Sequence, residues 1–295
     1  MDFKKKYKKY KIKNQNLGNL INELSNNISK PKNTASNTAS NTATNTASNN
    51  YFYNKSLQRY GDLAKFGLKY KCDKATHHKY YEIYPIYLEI YRNLQNKAML
   101  EIGMDKKRSL YMWLDYFKYA HIYGLDIGFE DNGERHNIYQ ADQSNTEQLD
   151  SVKNKIIQQN KEIFFIIDDG SHICEHQIKT FNLYFEHLLM YGGTYIIEDI
   201  EVNYWTHGDL YGYNTNYGYK HNNSLVEYFK CIADDINSEF MTPENKKKQE
   251  DLIGSIIPFS VRQLIKLITF GKNCIIILKN DHEKDNRTYR FYDKL

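Results

Sequence analysis

The sequence predicts an α/β fold: a mostly parallel sheet covered by helices on both faces. Three observations predict it. From residue 98 onward, short apolar runs alternate with amphipathic stretches of helical period, the pattern of a parallel sheet with helical crossovers. One run, 162–169 (EIFFIIDD), is apolar without alternation, as a strand buried on both faces is. Each successive run also closes on a carboxylate, which places acidic side chains along one edge of the sheet.

The elements follow in order. Residues 98–103 (AMLEIG) form a first strand ending in glycine. Leu110, Trp113, Leu114 and Phe117 then fall at i, i+3, i+4 and i+7, one apolar face of a helix. Residues 121–127 (HIYGLDI), 137–142 (NIYQAD), 162–169 and 193–199 (GTYIIED) supply four more strands. Ile178, Phe181, Phe185 and Leu188 mark a helix between the last two, and 224–240 reads as another. Two further strands, 252–259 and 274–279, complete a seven-stranded sheet. Ahead of it, 51–97 reads as a helical, Tyr-rich segment.

Residues 1–50 read as a disordered tail. Residues 1–32 hold nine lysines against Asp2 and Glu23, a balance of +7 in a chain of net charge +4, so the remainder carries −3. A mildly acidic body offers no electrostatic case for nucleic-acid binding. The basic tail has the charge to touch RNA or anionic lipid, but the reading it favours is a solvated, disordered arm. Residues 33–49 repeat a TASN-like tetrad with nothing large enough to bury. No apolar run approaches the ~18–20 residues that cross a bilayer, so no membrane is expected. Four scattered cysteines without a CxxC pair argue against a zinc site or a disulfide framework, and for a reducing, cytoplasmic setting.

In open parallel sheets, ligands bind beyond the carboxyl ends of the strands. Five successive ends here are acidic: Glu101, Asp126, Asp142, Asp168–Asp169 and Glu198–Asp199. Carboxylates so crowded repel unless something positive sits among them. The first half reads as a nucleotide-cofactor site. Gly103 closes the first strand, and Asp126, 23 residues on, is placed to accept hydrogen bonds from ribose hydroxyls. Neither GxGxxG nor a Walker A motif is present, so a cofactor without pyrophosphate fits better, and S-adenosylmethionine is one. The second half reads as a divalent-metal site. Asp169, Glu198 and Asp199 offer hard oxygens on strands that should be neighbours, which favours Mg²⁺, with Mn²⁺ or Ca²⁺ open. His172 lies three residues after Asp169, and an imidazole titrating near ~6.5 can act as a base at neutral pH. A satisfied or surface role is the plainer reading of a lone histidine; three carboxylates at the same edge turn His172 toward the base, while His176 and His187 keep the plainer reading.

LEIG (100–103), SLYMW (109–113), IYGLDI (122–127), ADQS (141–144), IIDDGSHICEH (166–176) and GTYIIEDIEVNYW (193–205) together resemble the sugar O-methyltransferases of macrolide biosynthesis, the mycinamicin type. CDKATHHKYYEIY (72–84) resembles that family's segment ahead of the first strand. The resemblance covers roughly residues 60–280, and the DDGSH and IIED motifs are its most specific part. It implies a Rossmann-like class I methyltransferase domain over 98–295, dependent on S-adenosylmethionine and Mg²⁺. By resemblance, Asp169, Glu198 and Asp199 hold the metal and His172 is the general base. Glu101, Gly103, Asp126, Asp142 and Asp168 belong to the cofactor site, with Ser109 near the cofactor carboxylate. The chain departs from the pattern after LEIG. Relatives often carry further glycines there, whereas this chain has Met104-Asp105-Lys106-Lys107-Arg108, so the methionine end of the cofactor is expected to be held differently.

The Gly- and aromatic-rich stretch around 204–221 reads as a substrate lid, with Tyr204, Trp205, Tyr211 and Tyr213 offered to the apolar face of a sugar; it reads also as a plain surface loop. The expected partner is a small-molecule sugar or glycan, on a nucleotide-sugar or a finished glycan. A homo-oligomer stays open. Two other functions compete: O-methylation of a catechol-like diol, and a catalytically idle domain that binds cofactor or glycan.

Overall fold

Eight strands form the main sheet, in the order β3 (Asp131–Gly133), β4 (His136–Gln140), β2 (His121–Asp126), β1 (Lys97–Ile102), β5 (Glu162–Asp168), β6 (Leu189–Glu198), β10 (Cys274–Lys279) and β9 (Ile265–Gly271), while β7 (His207–Gly208) and β8 (Tyr213–Asn214) pair as a separate two-stranded ribbon. The computed structural model describes residues 61–208 and 213–282. The expected 1–50 tail, residues 51–60 and Tyr211 lie outside the described residues. Strands β1 (Lys97–Ile102), β2 (His121–Asp126), β4 (His136–Gln140), β5 (Glu162–Asp168) and β6 (Leu189–Glu198) pair in parallel, with β1 at the point where the strand order reverses. The antiparallel hairpin of β9 (Ile265–Gly271) and β10 (Cys274–Lys279) closes the other side, through the pairing of β10 with β6. The eighth strand, β3 (Asp131–Gly133), is a three-residue antiparallel addition to β4, which accounts for the one strand beyond the seven expected.

The helical crossovers bury aromatic faces on both sides of the sheet. Helix α1 spans 61–69, and α2 (Arg108–Tyr116) buries Leu110, Met112 and Trp113. Helix α3 (Thr146–Gln158), not among the expected elements, is capped by the Asn145 side chain, which accepts from the Gln148 N–H, and buries Leu149, Val152 and Ile156. Helix α4 (Cys174–His187) and α5 (Leu225–Ile236) cover the same face as α3. Strand alternation distributes the core. Leu100, Ile166, Tyr195, Ile197, Ile275 and Ile277 pack toward α3–α5, while Met99, Ile167, Ile196 and Ile276 pack toward α2 and the segment ahead of β1. Each such large apolar side chain contributes roughly 1.5–3 kcal/mol by leaving water.

Two expectations are corrected. Residues 252–259 are not a strand: α6 (Pro243–Ile253), N-capped by Thr242, occupies their start, and Pro258 has no N–H to give a ladder. The penultimate strand is β9 instead, joined to β10 through Lys272 and Asn273, with Asn273 at φ +61. The segment ahead of β1 is less helical than expected. Beyond α1 it consists of the one-turn helices Asp73–Thr76 and Pro85–Leu88, with one 3₁₀ turn (Tyr80–Glu82) between them and another (Glu89–Tyr91) after, because Lys71 and Lys79 take left-handed φ and Pro85 opens a new turn. Its tyrosines still pack inward, Tyr80, Tyr84 and Tyr91 being buried. All four cysteines are free, and among the described residues no helix is long and apolar enough to cross a membrane.

Candidate active site

The carboxyl ends of β1, β2, β4 and β5 border a cavity of about 650 Å³, within the ordinary range for small-molecule sites. Gly103, Asp126 and Asp142 line it, with Ile102, Leu125 and Ala141 as apolar walls. Gly103 is there for two reasons. Its φ is +84, and a Cβ on it would lie 2.1 Å from the Asp169 carbonyl oxygen. The close approach is what lets the β1 loop back directly onto the end of β5. Asp126 closes β2 and holds the β1 loop from the other side. One carboxylate oxygen accepts from the N–H groups of Met104 (2.9 Å) and Asp105 (3.1 Å), and the other from Gly128 (2.8 Å). Asp142 accepts from the Ser144 side chain and from the Ser144 N–H, the latter at 2.7 Å, and the two hold its carboxyl below the usual range. The missing glycines after LEIG have a structural counterpart. Asp105 (φ +36) and Lys107 (φ +60) adopt the left-handed backbone themselves, and Lys107 is tied to Asp131 at 2.8 Å.

Three of the residues expected at the cofactor lie beneath the cavity rather than in its wall. Glu101 is fully buried, receives the Trp113 indole N–H at 3.1 Å and is also hydrogen-bonded by Ser109. Burial pushes its carboxyl up to about 7. Asp168 is fully buried on the opposite face. The Gln143 amide donates to both its oxygens (2.9 and 2.8 Å), and the Gln143 carbonyl oxygen in turn accepts the Ser171 N–H at 2.9 Å. Asp168 thus shapes the turn after β5 through Gln143, with its carboxyl raised to about 6 by burial. The reason is the pleat: consecutive strand residues point to opposite faces, so Asp168 and Asp169 part company.

Asp169, His172 and Asp199 come together at the cavity edge. Each offers one ligand atom, and these atoms lie within 4.8 Å of one another. His172 Nε2 is 3.7 Å from Asp199 Oδ2, while its Nδ1 is buried and has no hydrogen-bond partner among the described residues. His172 (φ +59) and Asp199 (φ +54) both sit in the left-handed region, strain of roughly 1–3 kcal/mol per residue of a kind that collects at functional sites. Burial, then the charges of Asp169 and Glu201, push the Asp199 carboxyl up to about 8. The two carboxylates fit a hard divalent cation, which prefers oxygen and leaves the imidazole nitrogen free.

The structure divides the expected ligand set. Glu198 does not join that cluster: one of its oxygens takes the Tyr84 hydroxyl at 2.5 Å and the other the Lys74 ammonium at 2.7 Å. Lys74 was missed in the sequence. It is 3% exposed, and its Nζ also lies 2.5 Å from Asp169 and 3.3 Å from Glu101. The carboxylates of half-buried Asp169 and of buried Glu198 and Glu101 raise its pKa well above the ordinary value despite burial. One ammonium therefore partly offsets the crowded carboxylates beneath the site. Within CDKATHHKYYEIY nothing local separates Lys74 from Lys79; only the acidic strand ends called for a buried cation.

The aromatic residues part as well. Tyr204, 49% exposed, lines a second cavity next to Asp199. Trp205 and Tyr213 pack against each other, ring centres 6.0 Å apart, and line neither cavity.

No family model matches the chain. Among curated proteins it is similar to mycinamicin VI 2''-O-methyltransferase of Micromonospora griseorubida, 34% identical over 154 residues, 49% of this chain and 37% of that protein. It is likewise similar to 8-demethyl-8-alpha-L-rhamnosyl tetracenomycin-C 2'-O-methyltransferase of Streptomyces olivaceus, 31% identical over 152 residues, 48% of this chain and 39% of that one. The matched stretches thus span less than half the length of these relatives. Among solved structures it resembles the MycE methyltransferase in complex with Mg, SAH and mycinamycin VI, with a TM-score of 0.62 and 26% identity, covering 78% of this chain and 56% of that one. The homologues of this chain are sugar O-methyltransferases, and its fold is the Rossmann-like methyltransferase fold.

Proposed function

We propose that the chain is an S-adenosylmethionine- and Mg²⁺-dependent O-methyltransferase of a sugar hydroxyl. The observation that carries the reading is the meeting of Asp169, His172 and Asp199 at the edge of a cavity bordered by Gly103, Asp126 and Asp142. A chain whose homologues methylate sugars has, at one sheet edge, places for both cofactors.

Asp126 and Asp142 would accept hydrogen bonds from the cofactor, Asp126 from ribose hydroxyls, with Ile102, Leu125 and Ala141 as apolar walls of its cavity. Asp169 and Asp199 hold the metal ion. When bound, S-adenosylmethionine supplies an electrophilic methyl group and Mg²⁺ a Lewis acid that favours the ionised form of the acceptor hydroxyl. His172 takes the hydroxyl proton at Nε2, the nitrogen facing Asp199. The deprotonated sugar oxygen would be the nucleophile toward that methyl group, and the proton would rest on His172. Lys74, by holding Asp169, Glu198 and Glu101, keeps Asp169 aimed. Positioning of this kind contributes up to ~7–11 kcal/mol in favourable cases.

The test is His172→Ala assayed with labelled S-adenosylmethionine, Mg²⁺ and a panel of glycosides. The variant should bind cofactor and Mg²⁺ as the wild type does, with kcat lower by ~10²–10⁴, the usual worth of a general base. Wild-type turnover in the variant across pH removes His172 from the reaction; a catechol-like acceptor, easier to ionise, would show a smaller loss.

A further inference from the structure

The two carboxylates proposed to hold the metal each have one oxygen already taken by the protein. Asp169 Oδ2 receives the Lys74 ammonium at 2.5 Å. Asp199 Oδ1 receives the Asn273 side-chain amide at 2.8 Å, and His78 Nε2 stands 3.6 Å from the same oxygen. Each acid thus keeps one oxygen for an ion, Oδ1 of Asp169 and Oδ2 of Asp199. The latter is the oxygen that faces His172, at 3.7 Å.

Asn273 is itself fixed from several sides. It lies in the turn joining β9 to β10 at φ +61, a left-handed conformation that asparagine adopts more readily than most residues. Its side-chain oxygen accepts the Glu201 N–H at 2.9 Å, and its carbonyl oxygen accepts the Tyr80 hydroxyl at 3.0 Å. The side chain therefore straddles buried Ile200, gripping Asp199 before it and Glu201 after it. Asp199, at φ +54, is in a conformation that persists only where its surroundings hold it. A carboxylate pinned through one oxygen turns only the other toward an ion, and this weighs differently on different ions. Ca²⁺ gathers about 6–8 oxygens and often takes a carboxylate through both of its own, whereas Mg²⁺ takes an octahedron, keeps several waters and needs few carboxylates. Mn²⁺ shares the octahedral preference.

We propose that Asn273 is a positioning residue that sets the choice of metal: by holding Asp199 Oδ1, as Lys74 holds Asp169 Oδ2, it makes both ligands one-oxygen donors and turns the site toward Mg²⁺ or Mn²⁺ and away from Ca²⁺. The assignment rests on the metal-site reading above. Asn273 acts through Asp199 and touches neither ion nor substrate. A purely structural role would instead lower stability, or the affinity for every divalent ion alike, and leave the preference among ions where it was.

The experiment titrates the full chain with Mn²⁺, followed by the electron paramagnetic resonance of the free ion, and then displaces the bound ion with Ca²⁺. The wild type should bind Mn²⁺ more tightly than Ca²⁺. Asn273→Gly removes the grip while leaving the left-handed backbone unstrained. It should weaken Mn²⁺ binding by roughly tenfold or more, the usual worth of a group that orients a ligand, with Ca²⁺ affinity held within about threefold. Asn273→Asp still accepts the Glu201 N–H but gives Asp199 no hydrogen, and it should narrow the preference for Mn²⁺ as well. Asn160→Gly is the control: it also relieves a positive φ (+52), but at the amino end of β5, and should keep the wild-type ratio. The wild-type ratio of Mn²⁺ to Ca²⁺ affinity in either Asn273 variant that folds, as judged by thermal unfolding, overturns the assignment. A wild type that binds Ca²⁺ as tightly as Mn²⁺ overturns it too. Failure of the metal-site reading looks different: no Mn²⁺ bound by the wild type, or Mn²⁺ bound by Asp169→Asn as tightly as by the wild type.

Discussion

Gly103→Ala puts a single methyl group between the cofactor loop and the proposed metal ligand. At φ +84 the new side chain costs roughly 1–2 kcal/mol in backbone strain. Its Cβ would also stand 2.1 Å from the Asp169 carbonyl oxygen, 2.7 Å from the Asp169 carbonyl carbon and 2.8 Å from Gly170 Cα. These are backbone atoms and cannot swing aside, so the turn after β5 must retreat by about 1 Å, which as overpacking costs ~1–3 kcal/mol more. The total, about 2–5 kcal/mol, corresponds to a fall in Tm of roughly 5–20 °C for a domain of this size. A 1 Å displacement of Asp169 should lower kcat/KM by on the order of 10². Thermal unfolding, calorimetric titration with Mn²⁺ and methyl-transfer rates measure the three effects. Gly192→Ala is the control. Gly192 also has positive φ (+73), but its nearest neighbour is the Asp281 carboxylate at 3.5 Å, so it should lose only the strain and keep full activity. If Gly103→Ala bound Mn²⁺ and turned over like Gly192→Ala, the contact between loop and ligand would have no functional weight.

Other expectations follow from the same geometry. Lys74→Met leaves the buried carboxylates of Glu101 and Glu198, and half-buried Asp169, without their cation and should cost about 3–5 kcal/mol at neutral pH; the deficit in unfolding free energy against wild type should shrink as pH falls and the acids take up protons. Asp126→Ala should weaken S-adenosylmethionine binding by roughly 10- to 150-fold, the worth of ~1.5–3 kcal/mol of hydrogen bonding to a charged group, with Mn²⁺ affinity unchanged in the same titrations. Asp199, raised to about 8 from an ordinary 3.8, keeps in the folded metal-free protein a proton that the unfolded chain has lost. Metal-free stability should therefore fall as pH rises through that window, and divalent-ion affinity should rise with pH up to about 8, with proton release visible by calorimetry in buffers of different ionisation enthalpy.

The central strands are legible in the sequence because burial on both faces leaves an unbroken apolar run, as in EIFFIID, and because the acidic ends of such runs fall at one edge. The division of labour among those acids lies in the pleat. Met99 and Glu101 share a face, as do Ile196 and Glu198, and that face packs against the segment carrying Lys74 and Tyr84. Strand alternation by itself separates Asp168 from Asp169, and Glu198 from Asp199, so this part of the site is encoded locally although strand ends alone do not reveal it. Helix α3 carries Asn145 and Gln148 as its N-terminal signal, but its apolar stripe of Leu149, Val152 and Ile156 is sparse among polar residues. Lys74 is out of reach for a different reason. Its role depends on the meeting of β1, β5 and β6 with a segment up to 124 residues away, a contact no local pattern encodes.

One measurement bears on the account most directly: transfer of a labelled methyl group from S-adenosylmethionine to a neutral glycoside, followed in EDTA and again after Mg²⁺ is restored, in wild type and Asp169→Asn. The account predicts transfer that stops in EDTA and returns with Mg²⁺ in the wild type. It predicts no return in Asp169→Asn, although that variant still binds S-adenosylmethionine. Transfer that persists in EDTA, or that Asp169→Asn supports at the wild-type rate, would contradict it.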